Sequence, residues 1–322
     1  MRVAAVDCGT NSIRLLVADV STDQQSMPQL IDIDRRLEIV RLGQDVDRTG
    51  RFAPEALART FEACRRYAAV IEKLGVVRTK MVATSATRDA RNREEFVAGV
   101  RDVLGVAPEV ISGEEEARLS FVGATRELAA QGVATPFLVV DIGGGSTEFA
   151  RGVSQPEASV SVDMGCVRLT ERYLLTDPPT EAEIAAARTE IRRQLDRAAR
   201  SVSLDRAGTL VGLAGTVTTM AAMALGLSSY DPARIHHSRM SAADVHAITE
   251  RLLAMSLAQR RALPFMHPGR ADVIGGGALV LDEIMRRVGP HLSTGEVVVS
   301  EHDILDGIAL DIATEATTSR GD

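Results

Sequence analysis

Of the 37 basic residues in this chain only Lys73 and Lys80 are lysines, so a Gly-Lys-Ser/Thr phosphate loop is nowhere present. That excludes Walker-type nucleotide hydrolysis. Cysteine is as scarce: Cys8, Cys64 and Cys166 are too few and too scattered for a disulfide framework or a zinc site, and reduced thiols suit a cytosolic setting. No apolar run approaches the ~18 residues of a membrane span, and the start carries no basic, apolar, small-residue signal. A cytoplasmic protein without a membrane partner is expected. Positive charge is short overall, with 37 Lys and Arg against 44 Asp and Glu for a net charge of −7, which argues against a nucleic-acid partner held by bulk electrostatics. A polyanionic ligand would need local arginines and backbone amides. There is no His-Glu-x-x-His, and His236 and His237 do not complete a phosphohydrolase metal site around His302-Asp303, so all six histidines read as surface or core residues.

What is present is glycine in two related places. Asp141-Ile-Gly-Gly-Gly-Ser-Thr-Glu148 has a partial copy in Asp7-Cys-Gly-Thr-Asn-Ser12: an Asp closing an apolar run, a glycine two residues on, then hydroxyls. Each follows a strand-like run (Val3 to Val6; Phe137 to Val140) and precedes another (Ile13 to Val20; Thr147 to Val153), so both read as tight turns between paired strands. Glycine lets the backbone bend with positive φ and approach a ligand closely, so several N–H groups can point at one phosphate. Thr10, Ser12, Ser146 and Thr147 add hydroxyl donors. A lone Gly-Gly-Gly is more often only a flexible turn. Its duplication, with Asp at the same offset, carries the reading of two half-domains gripping a phosphorylated ligand.

At 322 residues, with 45% hydrophobic and 25% charged residues, the chain can bury real cores and divides naturally into two domains. Residues 31 to 42 alternate loosely as one or two strands before a turn at Gly43. Leu57, Phe61, Cys64, Ala68, Ile71 and Leu74 predict an amphipathic helix over 54–74, opened by Pro54 and stopped by Gly75, with Cys64 on its apolar stripe. Lys80 to Thr84 is a strand running into Ser85 to Asn92, then a helix to about Val103. A strand at Glu109 to Ile111 follows, and Ser112-Gly-Glu-Glu115 resembles a capping box opening a helix to about Leu128. Residues 129 to 136 are the best linker. Beyond the second loop, Ser159 to Met164 is strand-like, Glu181 to Arg200 helical, and a buried strand Leu210 to Leu213 leads into Ala214-Gly-Thr-Val-Thr-Thr219 and a small-residue helix. Ser241-Ala-Ala-Asp244 caps another helix, Pro264 to Arg270 is a loop, Ala271 to Val288 is helical, and a strand at Val297 to Val299 precedes a closing helix. Strands alternating with helices make an α/β protein.

Hydrolysis also needs a metal or a base. Asp7 and Asp141 end their strands beside the glycine turns, where a hard divalent cation bridging carboxylate and phosphate oxygens would sit, Asp141 being the stronger candidate. The alternative is a carboxylate that only accepts turn N–H bonds. Glu148 follows the second loop closely. Glu114, Glu115 and Glu116 occupy a first helical turn, where acidic residues commonly just complement the helix dipole. One of them activating water would contribute about 10² to 10⁴ in rate. A rival is Cys8 to Arg14, which has the spacing of cysteine phosphatases. Those need a helix after the loop, whereas Ile13-Arg-Leu-Leu-Val17 alternates as a strand, and Cys166 to Arg172 repeats the same spacing.

Asp7 to Ser12, Arg41-Leu-Gly43, Ala83-Thr-Ser-Ala-Thr-Arg-Asp-Ala90 with Asn92, Ile111-Ser-Gly-Glu-Glu-Glu-Ala-Arg118, Asp141 to Glu148, Gly212-Leu-Ala-Gly-Thr216, and Arg270-Ala-Asp272 with Gly275-Gly-Gly277 together resemble the exopolyphosphatase and guanosine pentaphosphate phosphohydrolase family, in order and over nearly the whole chain. The resemblance implies two ribonuclease H-like domains of the actin and sugar-kinase type with an interdomain cleft. They would cover residues 1–130 and 131–300, with a C-terminal helix at 301–316 packing back on the first. It implies Mg²⁺-dependent hydrolytic release of terminal phosphate from inorganic polyphosphate. By position, Glu116 is the implied base, with Glu115 the alternative, and Glu148 a second essential carboxylate. Asp141 and Asp7 would meet the metal. Gly9, Thr10, Asn11, Ser12, Gly144, Gly145, Ser146 and Thr147 would hold phosphates, with Arg88 and Gly215 lining the channel. Long family members carry extra C-terminal helical domains, so shorter substrates are expected here. A homodimer and a place in the stringent response are also implied. Two other readings use the same loops: a guanosine pentaphosphate 5′-phosphohydrolase, and a non-catalytic sensor of guanosine tetra- or pentaphosphate.

Overall fold

The computed structural model describes residues 1–21 and 29–318. The chain forms two compact units, Met1–Gly123 with Ile304–Asp322, and Ala124–Asp303.

The first unit contains β1 (Arg2–Cys8), β2 (Ser12–Val20), β3 (Leu30–Ile39), α1 (Val46–Thr49), α2 (Pro54–Lys73), β4 (Arg78–Ala83), α3 (Ser85–Asp89), α4 (Arg93–Leu104), β5 (Glu109–Val110) and the start of α5 (Gly113–Ala130). Its sheet has the order β3-β2-β1-β4-β5, an antiparallel meander of β1, β2 and β3 followed by β4 and β5 parallel to β1. Strand β1 is apolar almost throughout because both faces are covered. Alternate residues serve opposite cores: Ala4, Val6 and Cys8 pack with Leu57, Cys64, Tyr67 and Phe96 of α2 and α4, whereas Val3 and Ala5 pack with Ile304, Ile308 and Ile312. The latter belong to α13 (Ile304–Thr318), the last helix of the chain. Lys80 Nζ fastens that helix, bonding Asp311 and Glu315 at 2.8 Å each. The loosely alternating stretch is the single edge strand β3, and its Ile31 and Ile33 are exposed.

The second unit continues from the end of α5 with β6 (Phe137–Ile142), β7 (Thr147–Gly152), β8 (Pro156–Val162), α6 (Cys166–Tyr173), α7 (Glu181–Ala198), β9 (Thr209–Leu213), α8 (Ala214–Ala224), α9 (Pro232–Ile235), β10 (Arg239–Ser241), α10 (Ala242–Ala254), α11 (Leu257–Arg261), α12 (Ile274–Val288) and β11 (Glu296–Val299). The sheet order is β10-β11-β9-β6-β7-β8. Apart from the short antiparallel β10, this repeats the first sheet: β6, β7 and β8 form the meander, and β9 and β11 run parallel to β6 in turn. Each unit is therefore ribonuclease H-like. The glycine turn joins the first two strands of the meander in both.

Several elements differ from expectation. Residues 85–89, to which no element was assigned, form a one-turn helix, residues 271–273 precede α12 rather than belong to it, and α5 runs through Ala130 into the expected linker. Helix α6 has no counterpart in the sequence reading.

Candidate phosphate site

In the first unit, the turn after β1 is closed by the Gly9 N–H donating to the Ser12 carbonyl at 3.0 Å. Outside the turn, Val40 and Arg41 donate to the Asn11 carbonyl (3.1 and 2.9 Å) and Gly43 donates to that of Thr10 (2.8 Å). In a planar trans peptide the carbonyl of one residue and the N–H of the next point in opposite directions. These bonds therefore turn the N–H groups of Asn11 and Ser12 away from segment 40–43. Thr10 Oγ1 is buried with no hydrogen-bond partner among the described residues. A buried hydroxyl left that way is costly, which suits a ligand contact. Asp7 is buried, and its Oδ2 accepts both Nε and Nη2 of the cross-strand Arg14, at 3.0 and 2.7 Å. A cation at Asp7 would compete with that guanidinium.

The second turn repeats the closure, with Gly143 N–H donating to the Ser146 carbonyl at 3.1 Å. Its outer side is bonded by the start of α6. Cys166 N–H donates to the Gly143 carbonyl (2.9 Å), Val167 and Arg168 N–H to that of Gly144 (2.9 and 3.1 Å), and Arg168 Nε to that of Gly145 (2.7 Å). With three successive carbonyls drawn to α6, the N–H groups of Gly144, Gly145 and Ser146 face the opposite side together. Such a run of amides turned to one side makes an anion nest of the turn type, formed without the positive φ expected at Gly143, which like Gly9 lies outside the left-handed region. The approach of α6 is possible only because residue 165 is glycine: a Cβ there would lie 2.2 Å from the carbonyl carbon and oxygen of Gly144. Not every expected hydroxyl is available. Thr147 Oγ1 donates to the Met164 carbonyl at 2.6 Å and Ser146 Oγ donates to Glu148 at 2.6 Å, so Thr147 frames the loop and Ser146 offers its backbone N–H instead.

Beside the nest, Asp141 on β6 stands directly across from Glu148 on β7, and both are buried. Like charges directly opposed destabilise a sheet, and the pair is an oxygen donor set of the kind a hard divalent cation takes. The residues present fit Mg²⁺ on this count. In the first unit, Glu115 is tied to Arg118 by bonds of 2.7 and 2.8 Å, whereas Glu116 is buried and its Oε2 accepts from Arg88 Nη1 at 2.8 Å. The same Nη1 donates to the Ile111 carbonyl at 3.1 Å, so Arg88 braces the acidic turn of α5.

Gly215 lies in the first turn of α8, after Ala214, whose φ of 69° puts a non-glycine residue in the left-handed region. No side chain caps this helix start, and a helix N-terminus favours anions. The Arg270 guanidinium packs so closely that a Cβ on Gly215 would be 2.4 Å from Cζ.

The thiols are inert. Burial pushes Cys8 well above its usual range, and it pushes Cys166 up to about 11 despite the opposing Arg270 charge. Strand β2, not a helix, follows Cys8. The histidines depart from expectation in one respect: His236 stacks on His237 at 3.7 Å between ring centres and lies 4.5 Å from His302, with Glu127 beside them. The Glu301 N–H donates to His236 Nδ1 at 3.2 Å, which leaves the ring proton on Nε2, donated to Glu127 at 3.1 Å. A metal ligand has the reverse arrangement, with its far nitrogen donating. The cluster is a hydrogen-bonded one.

Residues 17–314 match the model of the Ppx/GppA phosphatase family. The chain belongs to that family. Exopolyphosphatase 2 of Mycobacterium tuberculosis is 54% identical over 317 residues, covering 97% of this chain and 98% of the relative. The crystal structure of an exopolyphosphatase-like protein superposes with a TM-score of 0.92 at 43% identity, covering 98% of this chain and 100% of the other. The Aquifex aeolicus Ppx/GppA family member gives a TM-score of 0.77 at 28% identity, covering 98% of each chain.

Within this Ppx/GppA chain, each unit gathers its share of the expected residues: Asp7, Gly9 to Ser12, Arg88 and Glu116 in the first; Asp141, Gly144 to Glu148 and Gly215 in the second. Arg168, Gly165 and Arg270 were not singled out as site residues from the sequence. Arg270 stood in a quoted motif but was given no role there, and the signal of the other two was weak, because an arginine among 37 basic residues and a glycine outside the triplet carry no motif of their own.

Proposed function

We propose that this protein is an exopolyphosphatase that hydrolyses terminal orthophosphate from inorganic polyphosphate with Mg²⁺. The observation that carries the reading is the run of three carbonyls, Gly143 to Gly145, bonded on the α6 side, which turns the following amides to the other side, next in the chain to the opposed Asp141 and Glu148. The 54% identity to a protein named Exopolyphosphatase 2 supports it.

In the second unit Asp141 and Glu148 would hold Mg²⁺; in the first, Asp7 is less suited to a cation because Arg14 already occupies one of its oxygens. Bound there, the cation supplies positive charge to phosphoryl oxygens. The chain does the rest. Amides of Gly144, Gly145 and Ser146 hold a phosphoryl group, as do those of Asn11 and Ser12 with the Thr10 hydroxyl. Such preorganised donors stabilise the charge of an in-line transition state. Glu116 takes the proton of the attacking water, and Arg88 keeps its carboxylate in place. Glu115 is less suited, being turned to Arg118.

Orthophosphate release from polyphosphates of defined length, with Mg²⁺ or with chelator, tests the reading, and activity favouring shorter chains is expected. The resemblance also implies a guanosine pentaphosphate 5′-phosphohydrolase reading, and relative kcat/KM on the two substrates decides between them. Turnover of either substrate sinks a purely sensory role. The proposal extends to a cytoplasmic homodimer without nucleic-acid or membrane partners, with light scattering reading its stoichiometry.

A further inference from the structure

Ser161 on β8 stands directly across from Glu148 on β7, which stands across from Asp141 on β6, so the three form one row over adjacent strands. Residues opposed in this way share a face of the sheet, with Cβ atoms ~4.5–5.5 Å apart. Ser161 Oγ donates to Glu148 Oε1 at 2.7 Å, and Ser146 Oγ donates to the same oxygen at 2.6 Å. Two donors fill the lone pairs of one carboxylate oxygen. They also come from different elements, the glycine turn and the edge strand, so together they fix both the position and the plane of the group. Oε2 is the oxygen neither serine takes.

We propose that Ser161 is a positioning residue for the hydrolysis, holding the Glu148 carboxylate so that its Oε2 and the Asp141 carboxylate serve one cation. The inference rests on the proposed roles of Asp141 and Glu148. Ser146 alone cannot replace it: one hydrogen bond leaves the carboxylate free to rotate about that contact, while a second from β8 locks it. The requirement is for a hydroxyl, not for serine as such. Threonine retains the donor and suits a strand, whereas alanine removes it.

The test compares Ser161→Ala, Ser161→Thr and Glu148→Gln with the native protein, by Mn²⁺ titration without polyphosphate, steady-state kinetics and thermal melting. Ser161→Ala should weaken Mn²⁺ binding and lower kcat, each by about 10-fold, the effect typical of losing a partner that orients a metal ligand. KM for polyphosphate and the melting temperature should hold, and Ser161→Thr should recover most of the loss. Native Mn²⁺ affinity and kcat in Ser161→Ala would overturn the inference, as would a loss that Ser161→Thr shares or that follows the melting temperature. Glu148→Gln separates the two levels. If it binds Mn²⁺ and turns over normally, the underlying reading of Glu148 fails; if it is impaired while Ser161→Ala is normal, only the positioning role fails.

Discussion

Glu115 and Glu116 are sequence neighbours in different settings. The first is half-exposed and engaged by Arg118; the second is buried against Arg88. Glu116→Gln keeps the shape and a hydrogen bond to Arg88 but removes the base, so kcat should fall by about 10² to 10⁴ while polyphosphate still binds. Glu115→Gln should stay within a few-fold of native. Equal losses in the two variants, or near-native turnover in Glu116→Gln, would contradict the assignment. Adjacent glutamates could not be told apart by any spacing rule, and the resemblance alone preferred one. Burial separates them: residues three and four apart share a helix face, and the side of α5 bearing Glu116 faces α3, an element not foreseen. Donor hydroxyls were read less well. Whether a serine or threonine serves ligand or frame depends on a carbonyl such as Met164's, which is brought near only by the third strand and the turn after it.

At the scale of elements, the nest is made as much by α6 as by the glycines it follows. Gly165→Ala would place a methyl carbon against the Gly144 peptide, forcing α6 and the loop apart. The expected outcome is at least a 10²-fold drop in kcat/KM, the order of loss a small misplacement of a catalytic group produces, with a folded protein by circular dichroism. Native kcat/KM would show that the loop does not depend on that contact. Both glycine turns were legible because Asp, glycine and hydroxyl recur at matching offsets between apolar runs, and the strands around them followed from their continuous hydrophobicity. Helix α6 was not. Two turns are too short to establish a 3.6-residue period, and the spacing of its Cys166 and Arg172 is one that an arginine-rich chain generates by chance, the thiol being buried with its pKa pushed up to about 11. Short elements such as α3 and β10 were missed for the same reason, since tertiary contacts rather than local pattern hold them.

For the molecule as a whole, the last helix belongs to the first unit's core. Ile308 of α13 is fully buried against the sheet, so Ile308→Ala should cost about 2–5 kcal/mol. Denaturant melts would read it, and a loss below ~1 kcal/mol would mean that α13 contributes little to that core. Proton linkage gives a second global test. Burial, followed by the neighbouring His236 charge, lowers the His237 pKa below its ordinary 6.5. A histidine harder to protonate when folded makes the unfolded state bind more protons in that window, so stability is full above about pH 6.5 and declines as acid is added, towards the depressed folded value. His237 has a φ of 60°, which asparagine tolerates. His237→Asn should therefore flatten the melting-temperature profile below about pH 6.5; an unchanged slope would assign the effect to other groups. The central claim is that paired glycine turns and a buried acidic row serve the hydrolysis of polyphosphate. Its most direct test is a time course of orthophosphate released from polyphosphate of defined length by the native protein and by Glu116→Gln. Mg²⁺-dependent release by the native protein alone is the predicted result, and no release at any chain length, or equal release by both proteins, would contradict it.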